Sequence, residues 1–368
     1  MVIYMNKHYP LRAILIAFTL IVGLCAFPSA AAETPSPSAS SAVLYEPFSR
    51  TFLYEKSADV RLPMASTTKI MTALTALSVL EPDEQVTVPA CAVGTEGSSA
   101  YLEKGEVLSV EDLLYALLLA SANDAAVVLA VAADGSAQAF AARMNALAAK
   151  MGLTQTHFEN PHGLHSEKHY TTARELALIA AKLLENDTLR KIVSTKVYTA
   201  QTSLYRRTFV NHNKLLSRDE RAIGVKTGFT KASGRCLVGA AEKDGMTLIS
   251  VTLNAPNDWN DHEALWEFGF SNYELRDIVD ANSFFTNVSV IGAILPYVTA
   301  TNHEAVRILC PKTSSPIEMH AEYLPHVIAP IKKDAMLGYL CFTKDGKEIK
   351  RIPLYAANDV PLAKISKK

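Results

Sequence analysis

The stretch of sequence that decides the fold runs from Pro63 to Thr72 and reads PMASTTKIMT. Within it begins a run in which apolar residues recur at helical spacing as far as Leu80. We therefore predict a helix from Ala65 to Leu80, with Ser66 at its start. Lys69 follows three residues later, so it shares a face of the helix with Ser66 one turn away. Free N–H groups and the positive end of the helix dipole favour an anion at this position.

Ser66 and Lys69 are the residue types that nucleophilic catalysis by serine needs. A serine hydroxyl is a poor nucleophile until a base takes its proton. Lys69 can be that base only when it is neutral, so its pKa must be lowered by burial or by a neighbouring cation. Lys226 would be such a cation if its strand lies beside the helix. Ser121 could then pass a proton between Lys69 and the leaving group.

Two further motifs follow Ser66–Lys69 along the chain. Ser121-Ala122-Asn123 falls in a break between two predicted helices, and Lys226-Thr227-Gly228 falls on a predicted strand. In a chain of this composition we expect about one S-x-x-K and roughly 0.1 K-T-G by chance. Each motif alone could be a helix cap, a turn or a solvated lysine, but the order of all three favours a catalytic site. Gly228 would leave room for a substrate backbone against the strand edge.

The remaining pattern predicts an α+β fold, because its strands come first and last with helices between them. The predicted strands are 43–45, 52–54, 223–227, 235–241 and 246–253, and the predicted helices are 65–80, 113–120, 125–133, 137–151, 172–186 and 262–270. The two groups of strands could share one antiparallel sheet around a helical cluster. Asp244-Gly245, between two apolar runs, is a strong hairpin signal.

The chain divides into four predicted regions. Residues 1–32 have a positive start, a short apolar run and small residues with A-x-A spacing, which are typical of a secretory signal peptide; an uncleaved anchor is the alternative. Residues 33–41 are rich in Pro and Ser and predict a flexible linker. Residues 42–275 form the α+β unit. Short strands and turns over 276–368 predict a small all-β domain.

The overall composition excludes several classes of protein. The 368 residues carry 36 Lys and Arg against 37 Asp and Glu, so we predict no nucleic-acid binding. With 49% apolar and 20% charged residues, the chain is not disordered. Five cysteines are too few for a disulfide-dense scaffold. We predict Cys91, Cys236, Cys310 and Cys341 as buried thiols, and the sequence leaves open whether Cys310 and Cys341 pair.

From about Ala42 to Tyr273 the chain resembles the penicillin-binding-protein-type serine D-alanyl-D-alanine carboxypeptidases, which are low-molecular-mass penicillin-binding proteins. The resemblance rests on the segment from Pro63 to Thr72, on Phe158–Leu164 with His169-Tyr170, and on Gly224–Thr230. The C-terminal domain is similar to the accessory domain of the same enzymes. The implied fold is a β-lactamase/transpeptidase-like domain followed by a β-sandwich-like domain.

The resemblance implies a two-step acyl transfer on peptidoglycan, without metal or other cofactor. Ser66 would attack the carbonyl of the penultimate D-alanine of a stem peptide, with the N–H groups of Ser66 and Phe229 as the oxyanion hole. Lys226 and Thr227 would hold the terminal carboxylate, and Asn123 a peptide amide. β-Lactams would acylate Ser66 and be released slowly. The enzyme would work outside the cytoplasm, at the cell wall or outer face of the membrane, with no integral membrane anchor after signal cleavage.

Two features depart from the family pattern. Related carboxypeptidases often carry an arginine just after the third strand of the sheet, but residues 254–261 contain none. An amphipathic C-terminal helix, present in some members, is also not visible in the sequence.

Several alternatives remain open. Neither Glu159 nor Glu167 has the E-x-x-L-N context of a class A β-lactamase. His157, His162, His165 and His169 cluster in sequence, as metal ligands can, but lack the H-E-x-x-H pattern. Endopeptidase activity would use the same chemistry, a non-catalytic wall-binding protein would keep only the fold, and a role in sporulation is a further hypothesis.

Overall fold

The computed structural model describes residues 33–363. The predicted signal peptide and residues 364–368 lie outside this range. The strands are β1 (Ser41–Glu46), β2 (Thr51–Lys56), β3 (Gln85–Thr87), β4 (Val107–Ser109), β5 (Val197–Gln201), β6 (Arg206–Val210), β7 (Ala222–Thr230), β8 (Gly234–Lys243), β9 (Met246–Leu253), β10 (Tyr273–Val279), β11 (Phe285–Ile291), β12 (Tyr297–Asn302), β13 (Val306–Pro311), β14 (Glu318–Tyr323), β15 (His326–Ile328), β16 (Met336–Lys344) and β17 (Lys347–Ala356). The α-helices are α1 (Lys69–Ala76), α2 (Val110–Leu118), α3 (Asn123–Asp134), α4 (Ala137–Lys150), α5 (Ala173–Leu184), α6 (Asp187–Ser194), α7 (Leu215–Arg218) and α8 (Asp258–Asn272), and 3₁₀ turns cover Ala65–Thr68 and Ala90–Ala92.

An antiparallel sheet of order β2-β1-β9-β8-β7 forms the centre of the first domain. The early and the late strands of the domain share this sheet, as predicted, because β1 pairs with β9. The Asp244-Gly245 hairpin is also confirmed, with both residues at positive φ between β8 and β9. Strand β7 lies at the edge of this sheet, so one side of its backbone has no neighbouring strand.

The two faces of this sheet are covered by different helices. On one face, α5 and α6 lie against the strands, and the helices and the sheet share one apolar core that includes Leu113, Leu176 and Val238. On the other face, Leu265 and Trp266 of α8 pack against the sheet. The α+β expectation is therefore confirmed. Burial on both faces fixes the strand register, because a shift of one residue would exchange the side chains between faces.

The C-terminal domain is all-β, as predicted. It has a sheet of order β14-β16-β17-β12-β11-β15 and a separate β10–β13 pair. Leu340, Phe342 and Leu354 belong to its core. A hairpin at Asp345-Gly346 joins β16 to β17.

Several local predictions differ from the structure. The first helix ends at Ala76 rather than Leu80, where Ser78 Oγ donates to the carbonyl of Thr75 and the chain turns. Helix α6 and the β5–β6 hairpin were not predicted. The hairpin was missed because each of its two strands buries only one side chain and shows little apolar periodicity. In the linker, Ser38 hydrogen bonds to Asp261 of α8, so this end of the segment is packed.

The cysteine prediction is wrong for Cys91, which is exposed in a short 3₁₀ turn. Cys236, Cys310 and Cys341 are buried, and none of the four forms a disulfide in the part of the chain that the structure describes.

Between residues 33 and 363, no single helix is long and apolar enough to cross a membrane. Only the consecutive helices α3 and α4, bent by 82° at their junction, pass that test of length and composition together.

Candidate active site

Ser66 lies in the 3₁₀ turn Ala65–Thr68, immediately before α1. Ala65 has φ of 49°, which is unusual for a residue with a side chain. Thr68 Oγ1 donates to the Ala65 carbonyl at 2.8 Å and lies 2.7 Å from His169 Nε2. Because His169 Nδ1 accepts from the Glu159 N–H, its Nε2 carries the proton and donates to Thr68. The turn that presents Ser66 is thus held by the Thr68 side chain, which contacts both Ala65 and His169.

Lys69 is fully buried beneath Ser66. Its Nζ lies 3.0 Å from Ser66 Oγ, 2.6 Å from Asn123 Oδ1 and 2.6 Å from the carbonyl oxygen of His162. The carbonyl oxygens can only accept, so two N–H groups of a neutral amine point at them. The amine lone pair is then left for the Ser66 hydroxyl proton.

The electrostatic surroundings favour the neutral form of Lys69. Burial first, and then the positive charge of Lys226, hold the pKa of Lys69 well below its usual value. Asp124 acts in the opposite direction, but it is the smallest of the three influences. The sequence-based requirement for a lowered lysine pKa and a nearby cation is thus met by the geometry.

Asn123 begins α3 and is buried. Its Oδ1 accepts from Lys69, and its Nδ2 donates to the carbonyl of Glu96 at 2.6 Å. Gly97 allows this approach, because a Cβ there would lie 2.7 Å from Asn123 Nδ2. Both ends of the Asn123 side chain are thus engaged within the protein, and the contact with a substrate amide stays a prediction.

Ser121 precedes Asn123 in the break between α2 and α3. It has φ of 60° and is 4% exposed, and it lines the same cleft as Ser66.

Strand β7 carries the Lys226-Thr227-Gly228 motif alongside the nucleophile turn. Lys226 is buried, which lowers its pKa to about 7, and its Nζ donates to the carbonyl of Thr227 at 3.0 Å. A Cβ at Gly228 would lie 3.1 Å from the Ser66 nitrogen and from the Met64 oxygen. The glycine therefore lets the strand approach the nucleophile turn closely. That it also leaves space for a substrate backbone stays a prediction.

A cleft of about 300 Å³ opens above these residues. Its lining consists of Ser66, Ser98, Ser121, His212, Thr227, Gly228, Phe229, Arg235, Asp258 and Trp259. Lys69, Asn123 and Lys226 lie buried behind this lining. The structure thus brings all three motifs together at one cleft. Phe229 is 65% exposed at its mouth.

Two residues near the site, Asp124 and Arg235, were not identified from the sequence. Asp124 follows Asn123 and accepts hydrogen bonds from Ser99 Oγ and from the N–H groups of Ala100 and Leu102. Its only sequence signal was its position next to a motif. Arg235 lines the cleft from β8.

The ligand atoms of the four clustered histidines, all within the described residues, do not come together in a group of possible metal ligands. Burial lowers the pKa of His162 to about 4 and that of His169 to about 3, and His169 is used in hydrogen bonds to the nucleophile turn and to the Glu159 N–H. Neither Glu159 nor Glu167 lines the cleft.

One other group of possible metal ligands occurs in the described range. Ligand atoms of His320, Glu322 and Cys341 lie within 4.8 Å of one another on the C-terminal sheet. Arg351 pairs with Glu322, and burial raises the pKa of Cys341 to about 11. A protonated thiol beside a guanidinium disfavours a metal ion there, because metal binding requires the thiolate.

Comparison with known proteins agrees with this arrangement. Residues 29–257 match the family model for D-alanyl-D-alanine carboxypeptidase, and residues 273–362 match that for the penicillin-binding protein 5 C-terminal domain. The chain is 32% identical over 336 residues to D-alanyl-D-alanine carboxypeptidase DacF of Bacillus subtilis, covering 88% of this chain and 86% of the relative.

Two solved structures are similar as well. Penicillin-binding protein 5 from Haemophilus influenzae has a TM-score of 0.74 and 28% identity, covering 89% of this chain and 99% of that one. The Streptomyces K15 DD-transpeptidase has a TM-score of 0.62 and 36% identity, covering 65% of this chain and 99% of that one. With both domains matched in order, the chain belongs to the D-alanyl-D-alanine carboxypeptidase family of low-molecular-mass penicillin-binding proteins.

Proposed function

We propose that the chain removes the terminal D-alanine from peptidoglycan stem pentapeptides through an acyl-enzyme on Ser66. The observation that carries the proposal is the contact between Ser66 Oγ and Lys69 Nζ, with a lysine whose pKa is held well below its usual value by burial and by Lys226. A neutral amine 3.0 Å from the hydroxyl is a general base in position.

In the acylation step, Ser66 Oγ attacks the carbonyl carbon of the penultimate D-alanine while its proton moves to Lys69 Nζ. The C–N bond to the terminal D-alanine then breaks. The leaving amine needs a proton, and we assign its relay from Lys69 to Ser121, which lines the same cleft as Ser66. Water then attacks the ester, which restores the serine and yields the shortened peptide.

The tetrahedral intermediate needs donors for its oxyanion. The Ser66 nitrogen is adjacent to Gly228 of edge strand β7, and Phe229 is the next residue of that strand. We assign the N–H groups of Ser66 and Phe229 to the oxyanion hole. Such preorganised donors stabilise charge that develops in the transition state.

Lys226 and Thr227 are proposed to face the terminal part of the substrate, and the Lys226 charge also lowers the pKa of Lys69. Asn123 orients Lys69 through its Oδ1. β-Lactams would acylate Ser66 by the same attack. The predicted signal peptide at 1–32 would export the enzyme, which would act outside the cytoplasm at the cell wall.

The test is release of D-alanine from a defined pentapeptide by the exported chain. We expect release by the wild type and none by Ser66→Ala. A fluorescent penicillin should likewise label the wild type and leave Ser66→Ala unlabelled. Penicillin binding without D-alanine release, together with cleavage of a cross-linked dimer, would instead assign the chain as an endopeptidase. Release that persists in Ser66→Ala would overturn the mechanism.

A further inference from the structure

A carboxypeptidase acts next to a free carboxylate, and that charge needs a partner once it enters a cleft. Lys226 is a weak candidate as its only partner. It is 1% exposed, its Nζ donates to the Thr227 carbonyl, and burial lowers its pKa to about 7. Its Nζ is thus already engaged within the protein, and burial disfavours its charged form. This reasoning rests on the proposed function.

Arg235 is placed to supply the missing charge. It lies opposite Phe229 in the β7–β8 register and is the diagonal neighbour of Thr227, which pairs with Leu237. Diagonal neighbours share a face of the sheet and are within reach of a long side chain. Arg235 accordingly lines the cleft together with Ser66 and Thr227.

The guanidinium of Arg235 is held in place by the beginning of α8. Its Nη2 donates to Asp258 Oδ1 at 2.8 Å, and its Cζ lies 5.5 Å from the centre of the Trp259 ring. The same Asp258 oxygen accepts from the Trp259 N–H, so the carboxylate is fixed in turn. The Asp258 side chain is 4% exposed, whereas that of Arg235 is 41% exposed.

The hydrogen-bonding capacity of Arg235 is largely unused. A guanidinium has five N–H donors, and Asp258 takes up one. Its Nε is buried, so it is the terminal Nη1 and Nη2 groups of this partly exposed side chain that can meet a ligand, and Nη1 has no acceptor among residues 33–363. A fixed guanidinium with free donors at the cleft is suited to bidentate binding of a carboxylate.

We propose that Arg235 is a specificity-determining residue whose guanidinium binds the terminal carboxylate of the substrate beside Thr227. Asp258 and Trp259 are positioning residues that hold the guanidinium. The absence of arginine from 254–261 is then compensated by an arginine on the neighbouring strand β8.

The experiment compares two forms of one peptide ending in D-Ala-D-Ala, the free acid and its C-terminal amide. The wild type should prefer the free acid. In Arg235→Ala, kcat/KM for the acid should fall about tenfold to a hundredfold, as expected for a charge-assisted hydrogen bond. The amide should change by less than about twofold, so that the preference for the acid is lost. Arg235→Lys should recover part of it.

Arg218→Ala is the matched control, because Arg218 pairs with Glu263 of the same helix α8 but does not line the cleft. It should leave both substrates unchanged. If Arg235→Ala slows the acid and amide equally, or if the wild type does not distinguish them, the inference fails while the proposed function stands. If the wild type releases no D-alanine from the acid, the proposed function itself fails.

Discussion

Replacing Lys226 with methionine should stabilise the protein while it abolishes catalysis. Methionine has a similar length and no charge, and Lys226 is buried with a single hydrogen bond to the Thr227 carbonyl. Burial lowers the pKa of Lys226 to about 7 from 10.5. At about 1.4 kcal/mol per pKa unit, keeping this lysine charged in the folded state costs about 5 kcal/mol.

The sign of the pH dependence follows from proton binding. Between pH 7 and about 10 the unfolded chain binds more protons at this lysine than the folded chain does, so its contribution to stability rises with pH. Below pH 7 both states are protonated and the full cost is present. The gain from Lys226→Met should therefore be about 4 to 5 kcal/mol at pH 6 and only about 2 kcal/mol at pH 9.

Urea unfolding followed by tryptophan fluorescence at the two pH values measures this difference. The exposed Lys231 provides a control, since Lys231→Met should change stability by less than about 0.5 kcal/mol at either pH. If Lys226→Met raises the free energy of unfolding equally at pH 6 and pH 9, or lowers it at pH 6, then burial of a charged Lys226 does not destabilise the folded protein.

Three other substitutions test the site. Asn123→Ala removes an acceptor that orients Lys69 and should slow acylation by penicillin about a hundredfold in stopped-flow measurements; an unchanged rate would contradict that role. Gly228→Ala places a Cβ 3.1 Å from backbone atoms of the Ser66 turn and should destabilise the protein by about 1 to 3 kcal/mol and lower kcat, whereas a variant with wild-type stability and turnover would show that the two segments have room to separate. Asp124→Asn removes a negative charge that raises the pKa of Lys69, so the acid limb of the kcat/KM profile should move to lower pH; a shift to higher pH would show that the sign is wrong.

The general outline of the fold and the meeting of the three motifs could be predicted from sequence. Apolar periodicity identified the long buried helices and the central strands, because burial is what that periodicity reflects. The β5–β6 hairpin was missed because its strands are largely exposed. The first helix was predicted too long because its start is a 3₁₀ turn and its end is set by a local side-chain bond from Ser78.

The parts of the site that depend on contacts across the chain could not be predicted. The hydrogen bond from Lys69 to Asn123 joins residues 54 positions apart, and no local spacing encodes it. Likewise, Arg235 and Asp258 are on a strand and a helix whose approach depends on tertiary packing. The packing role of Gly228 was also missed, because sequence does not reveal how closely β7 approaches the nucleophile turn.

The most direct test of the central claim is to locate the acyl group on the protein. The enzyme would be incubated with penicillin, denatured, digested and analysed by mass spectrometry. We expect one penicilloyl adduct, on the peptide that contains Ser66, and no adduct in Ser66→Ala. An adduct on any other residue, or one that persists in Ser66→Ala, would contradict the account.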